Sequence, residues 1–413
     1  MSEVIDTEES LDLLLARQPV FNKSQDVVAY VLLYRNDAEK APQTINDHLA
    51  TSSVILNTYA SICQDGQVRS LPCYIKLTDK TLMADTFPEL PKEHFILEIL
   101  GHSDITPEFV ERVAELAKQG YRLALSDYRP DSKYEPLLKL IHILKLDMQT
   151  IGLDQLPQVV QKLRPYHLEL LADKVESQDE FRRCHELGFA LFQGYFLSKP
   201  EAVKGKKLGS SKVLLMQMMV ELQNPNATAQ SVEQLVINDP LLTYRILRVV
   251  NSAAFSLQRE IESLSHAISL LGFDQIRKWV SLFLVTDTQE KPEELTRSML
   301  VRGRMCELLA EMLGRDQPIN NFITGLFSKL DVLLDMEMED LLKQVPLQAE
   351  VKAALLNHEG QLGQILQQVS QYESGDFEQM NLLLDQAYYE AAYRHSLTWS
   401  QQVMMTLSDS AAA

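Results

Sequence analysis

Two patterns of apolar and polar positions divide the chain. Up to about residue 200, short apolar or alternating runs are separated by amphipathic helical stretches: LLLARQPVF (13–21), VVAYVLLYR (27–35), PCYIKLT (72–78), HFILEIL (94–100), YRLALSDY (121–128), HILKLDM (142–148), HLELLADKV (167–175) and FALFQGYFL (189–197). These are eight strand candidates. The first two are joined only by NKSQD, which is too short for a helical crossover, so they are expected to form an antiparallel hairpin. The other six alternate with helical stretches such as PEFVERVAELAKQG (107–120), a β/α repetition that suits a TIM-like barrel with one reversed strand.

After residue 206 the strand pattern stops. Apolar residues then recur at spacings of three and four, as in SKVLLMQMMVELQ (211–223), SVEQLVINDPLLTYRILRVV (231–250), LTRSMLVRGRMCELLAEML (295–313) and QAEVKAALL (348–356). The second half is therefore expected to be all helical. Met216 to Met219 are expected to fill core in preference to forming a partner surface. Between the halves, KGKKLGSSK (204–212) reads as a solvated linker before it reads as a basic binding patch.

Composition changes the picture only by exclusion. With 413 residues and 46% hydrophobic positions the chain supports two cores. A net charge of -18 disfavours DNA or RNA as partners, because nucleic-acid binding works mainly by placing Lys and Arg against phosphates. The acidic start and the lack of any run near 18 apolar residues imply no signal peptide and no membrane span, and hence a cytoplasmic location. Four scattered cysteines, Cys63, Cys73, Cys184 and Cys306, fit reduced structural thiols.

In a barrel of this kind, chemistry gathers at the carboxyl ends of the strands. Those ends carry Arg35, Lys76, Glu98, Asp127, Lys145, Asp147, Asp173, Glu176 and Gln193. Packing alone rarely brings so many charges together, so a former or present polar site is expected.

VLLYR, IKLT, LEILGH, LSDYR, LKLD, ADKVE and QGYFLSKP, in that order, resemble the motifs of the EAL family of cyclic di-GMP phosphodiesterases. INDPLLTYRILRVVNSAAFS followed by IESLSHAISLLGFDQIRKWV resembles the HDOD domain, a non-catalytic relative of the HD phosphohydrolases. The resemblance implies an EAL-type α/β barrel over residues 1–203 and an all-α HDOD domain over 204–413.

Active EAL enzymes hydrolyse a phosphodiester with two Mg²⁺ or Mn²⁺ ions, which require oxygen ligands. Position by position, the acid that opens the EAL motif falls on Val31 and the next motif's asparagine on Lys76. One glutamate is kept as Glu98, but the second acid of that motif falls on Gly101. Of two adjacent aspartates, the first falls on Ser126 and the second is Asp127. Lys145 and Asp147 match, Asp173 stands at a glutamate position, and Glu176 and Gln193 match.

These losses imply a degenerate barrel with no metal and no cofactor, and a protein that is not an enzyme. Lys76 is expected to stand in for the metals as the ion-pair partner of Glu98 and Asp127. Arg35, at the family's phosphate-facing arginine, and Gln193 keep nucleotide binding open.

In the helical half, the His-Asp metal pair of HD enzymes falls on Ser328 and Lys329, with Asp331 nearby, and His358 reads as a capping or surface residue. Three functions follow in order of preference: a signalling scaffold acting through protein partners in motility or biofilm control, a cyclic di-GMP receptor, and a residual phosphodiesterase. Arg245, Arg248 and Asn251, on the polar side of a helical pattern, are the candidate partner surface.

Overall fold

The structure, a computed structural model, describes residues 13–36, 71–77, 79–84, 90–194, 210–236, 247, 263–286, 291–345 and 347–411. Cys63, most of the 204–212 segment and Arg245, Arg248 and Asn251 lie outside the described residues.

Eight strands close into a barrel in sequence order: β1 Leu13–Phe21, β2 Val27–Asn36, β3 Cys73–Leu77, β4 Phe95–Leu100, β5 Arg122–Ser126, β6 Ile143–Asp147, β7 Glu169–Asp173 and β8 Leu191–Phe192. β1 runs antiparallel to both β2 and β8, and the remaining neighbours are parallel. The reason is local. The turn after Phe21 is closed by Asn22, whose side chain accepts from the backbone N–H groups of Ser24 and Asp26, while Gln25 takes a left-handed conformation. A turn this tight reverses the chain and leaves no room for a helix.

Strand alternation sorts the side chains into two layers. Ala29, Val31, Tyr74, Ile96, Ala124, Ile143, Leu171 and Leu191 belong to one buried cluster, and the intervening Tyr30, Leu32, Cys73, Phe95, Leu97, Leu123, Leu144 and Leu170 to another. The second cluster also takes in Phe109, Val113 and Leu116 of the helix Pro107–Lys118, so it lies between the barrel wall and its surrounding helices. That helix is capped by Thr106, whose hydroxyl accepts from the N–H of Phe109.

Beyond residue 210 every described element is helical. The helix Ser210–Glu221 buries Met216, Met218 and Met219, so the methionines are core. Cys73, Cys184 and Cys306 are buried free thiols. Among the described residues no helix is long and apolar enough to cross a membrane.

The two halves do not meet as separate globules. The cluster that holds Val31 and Tyr74 continues without a break into Leu300, Phe322, Val369 and Tyr393 of the helical half. The helices Gly360–Ser374 and Gln386–Ala411 pack on β1. At the end of the first of these, Gly375 sits at φ 76° where a Cβ would lie 2.7 Å from Cδ1 of Leu33.

Candidate functional site

The strand ends bring together most of the residues singled out from the sequence, with pairings that differ from expectation. Glu98 on β4 is fully buried, and Lys145 on β6 donates to both of its carboxylate oxygens, at 3.1 and 3.3 Å. The same ammonium lies 3.7 Å from Asp173 on β7 and 5.8 Å from the centre of the Tyr74 ring. Burial alone drives the Glu98 carboxyl upward. Lys145 and Lys76, with hydrogen bonds from Lys145 and Ser126, overcome it and hold the group below the usual carboxylate range. Lys145 shows the mirror image: burial lowers it, but Glu98 and Asp173 carry it above its ordinary value.

Lys76 is thus not the ion-pair partner of Glu98. It lies opposite Glu98 in the β3–β4 register and acts on it by charge alone, while Lys145 makes the direct contact. Nor does it pair with Asp127, which lies at φ 52° just past β5 and faces His102 at 3.8 Å, both side chains being well exposed. The substitute cation comes from across the barrel lumen.

The remaining acids are occupied locally. Asp147 caps the short helix Met148–Ile151, accepting from the N–H groups of Gln149 and Thr150 at 2.8 and 3.1 Å, and takes a hydrogen bond from Lys174 at 2.7 Å. Burial raises its carboxyl, but the Lys174 hydrogen bond and the two backbone donors bring it below the ordinary range. Asp173 accepts from the N–H of Lys174, and Glu176 accepts from the Gln149 side chain at 2.5 Å.

Gln193 is buried just past β8 and donates to Gln18 at 2.7 Å; its Oε1, like the Tyr74 hydroxyl, is buried with no hydrogen-bond partner among the described residues. Arg35 lies on β2 opposite Leu14, and its side chain is outside the described atoms.

Val31, fully buried, lies opposite Gln18 and Tyr74. Gly101 was legible only as a missing acid, but the structure gives it a steric role. A Cβ there would meet the carbonyl oxygens of Ser126 and Asp127 at 2.5 and 2.6 Å. The N–H of Gly101 donates to the Ser126 carbonyl at 2.9 Å, and its own carbonyl accepts from the Tyr134 hydroxyl at 2.7 Å. The ends of β4 and β5 are stitched together too closely for any side chain.

These donors do not fit the two-metal set that the EAL resemblance implies. Both oxygens of Glu98 accept from an ammonium, Val31 offers no lone pair, and Gly101 has no space for an acid. Among the described residues there is no group of three or more His, Cys, Asp or Glu side chains arranged to hold a metal ion.

In the helical half, Ser328 accepts from Arg302 at 3.0 Å and Lys329 donates to the Ser298 hydroxyl at 3.2 Å. Asp331 keeps one buried oxygen without a partner among the described residues. His358 ends the helix Ala349–Asn357 in a left-handed conformation and is exposed.

A closed α/β barrel with one reversed strand, EAL/TIM-like, leading into a helical region defines the class. The HDOD domain family matches residues 208–371. The chain is 32% identical over 404 residues to the uncharacterized protein YuxH of Bacillus subtilis, covering 95% of this chain and 99% of that one. It is 34% identical over 372 residues to the cyclic di-GMP phosphodiesterase CdgJ of Vibrio cholerae, covering 88% of this chain and 85% of that one. It belongs to the family that these two relatives represent.

Among solved structures, the EAL domain of Mycobacterium smegmatis DcpA aligns over 45% of this chain and 92% of that one, at 20% identity and a TM-score of 0.37, a likeness on which no residue assignment rests. The expectation that the protein is not an enzyme is corrected here. A relative this similar over nearly its whole length bears the name of a phosphodiesterase, and substitutions at motif positions do not outweigh that finding.

Proposed function

We propose that the protein works in cyclic di-GMP signalling and engages this dinucleotide at the carboxyl end of its barrel. The observation that carries the reading is the 34% identity, over 372 residues, to a cyclic di-GMP phosphodiesterase. The fold supports this place, because barrel proteins assemble their sites from groups at the carboxyl ends of the strands. Phosphodiester hydrolysis is the activity in that relative's name and the reaction to assay. Any turnover must use a ligand set other than the one carried over from the EAL motifs, since Lys145 occupies Glu98.

Lys76, Lys174 and Arg35 are the proposed phosphate-facing cations, and Gln193, with its unpartnered Oε1, a proposed contact to the base or ribose. Output to protein partners is proposed to run through the helical half, with Arg245, Arg248 and Asn251 as its contact residues and motility or biofilm formation as the process controlled.

The test is titration of the purified full chain with cyclic di-GMP, with and without Mg²⁺ or Mn²⁺, following binding heat and the appearance of linear product together. Saturable binding, weakened tenfold or more by Arg35→Ala or Lys76→Ala, is the expected result, and product formation would add catalysis to it. Neither heat nor product under any of these conditions would end the proposal.

A further inference from the structure

β1 meets the helical half around a cavity of about 130 Å³. Arg17 marks its barrel side. The backbone N–H of Arg17 donates to the Tyr393 hydroxyl at 3.3 Å, and its guanidinium lies 4.3 Å from the centre of the Tyr30 ring. Across the cavity stand Arg297 and Arg302 of the helix Glu293–Met312, together with Lys329, Glu294 and Glu373.

Two of these cations lack a direct carboxylate. Arg302 binds Glu373 through Nε and Nη2 at 2.9 and 2.5 Å, and Arg297 lies 3.2 Å from both Glu293 and Glu294. Both lining acids are therefore taken. Among the described residues, neither Arg17 nor Lys329 has a carboxylate within ion-pair distance; Lys329 reaches only a serine hydroxyl, that of Ser298. Arg17 and Lys329 are thus the two lining cations left without a direct carboxylate, a costly arrangement unless an anion completes it. The strain shows on Lys329, which burial, aided by Arg302, pulls down to about 8.

We propose that this interdomain cavity is a phosphate site, with the guanidinium of Arg17, the ammonium of Lys329 and the hydroxyl of Tyr393 closing on the oxygens of a phosphate dianion. Two cations without a direct carboxylate suit an anion, and guanidinium and ammonium donors are the groups that recognise phosphate. Size narrows the class. Pockets for drug-sized ligands run to roughly 300–1,000 Å³, so 130 Å³ admits a phosphate group and excludes a cyclic dinucleotide. Gln18 and Gly194 also line the cavity, so it adjoins the site proposed at the barrel mouth beside Gln193, but phosphate binding here and cyclic di-GMP binding there are read by different titrations.

The test is calorimetric titration of the full chain with inorganic phosphate at constant ionic strength, with chloride as control and glycerol phosphate as a second ligand. Saturable one-to-one binding and a phosphate-dependent rise in thermal midpoint are expected. Tighter binding of glycerol phosphate assigns the natural ligand to the phosphomonoesters, and tighter binding of inorganic phosphate to the free ion.

Arg17→Met and Lys329→Met should each weaken binding tenfold or more. Lys329→Met should also raise the midpoint in phosphate-free buffer, because it removes a buried cation that has no direct carboxylate partner. Should either variant fail to fold, ³¹P line broadening of phosphate by the wild-type chain, reversed by sulfate, supplies an independent reading. Absence of saturable binding by both methods, or unchanged affinity in both folded variants, would overturn the proposal.

Discussion

Lys145 and Glu98 form a two-pronged ion pair across the barrel lumen, with both side chains almost completely removed from water. Neighbouring strands do not make this contact: β4 and β6 are separated by β5, and the lysine reaches over it. Such a pair is weak evidence for net stability, but breaking it from one side leaves a naked buried charge.

Lys145→Met should therefore destabilise the chain by about 3 to 5 kcal/mol. The double variant Glu98→Gln with Lys145→Met should lose clearly less than the two single losses added together. Urea unfolding of the four proteins measures the coupling. Additive losses would show that the pair contributes nothing as a pair.

Acid and alkali should attack the same contact from opposite sides. The folded Glu98 carboxyl lies below its unfolded value of about 4.3, so its stabilisation is complete above that pH and is lost as pH falls through the lower folded value. Lys145 lies above its unfolded value of about 10.4, so its contribution is complete below that pH and disappears as pH rises through the folded value. Unfolding midpoints measured from pH 3 to 11 should show both edges in the wild type, and both should flatten in the double variant.

Restoring an acid at position 101 should fail on steric grounds before chemistry is reached. A Cβ at Gly101 would press into the Ser126 and Asp127 carbonyls, so even Gly101→Ala should cost roughly 1 to 3 kcal/mol, the range of overpacking. Gly101→Glu should cost more and confer no Mg²⁺-dependent rise in thermal midpoint. A stable Gly101→Glu protein with a clear Mg²⁺ response would show that β4 and β5 separate more easily than their hydrogen bonds imply.

The eight strands and the reversed hairpin were readable because each strand alternates between lumen and wall, and because five residues between β1 and β2 leave room only for a turn. The convergence of Glu98, Lys145, Asp147 and Asp173 was readable for the same reason: residues at corresponding strand ends must meet. Who pairs with whom was not. Sequence places Lys76 beside Glu98 on the next strand, but strand tilt and side-chain length decide which ammonium reaches a carboxylate inside a lumen, and those are properties of the closed barrel. The meeting of Arg17 with Lys329 was further out of reach, since 312 positions separate them and only the packing of one half on the other joins them.

The contact of Leu33 with Gly375 bears on how such a chain is inherited. Textually the sequence is two modules laid end to end, yet a barrel strand and a helix terminus from the other module lie so close that a methyl group on the glycine would push the Leu33 side chain aside. A change on either side must be answered on the other. Exchanging either half for a homologous module from another protein should therefore lower the thermal midpoint unless the residues that meet at this seam are exchanged with it, although every residue within each module remains intact.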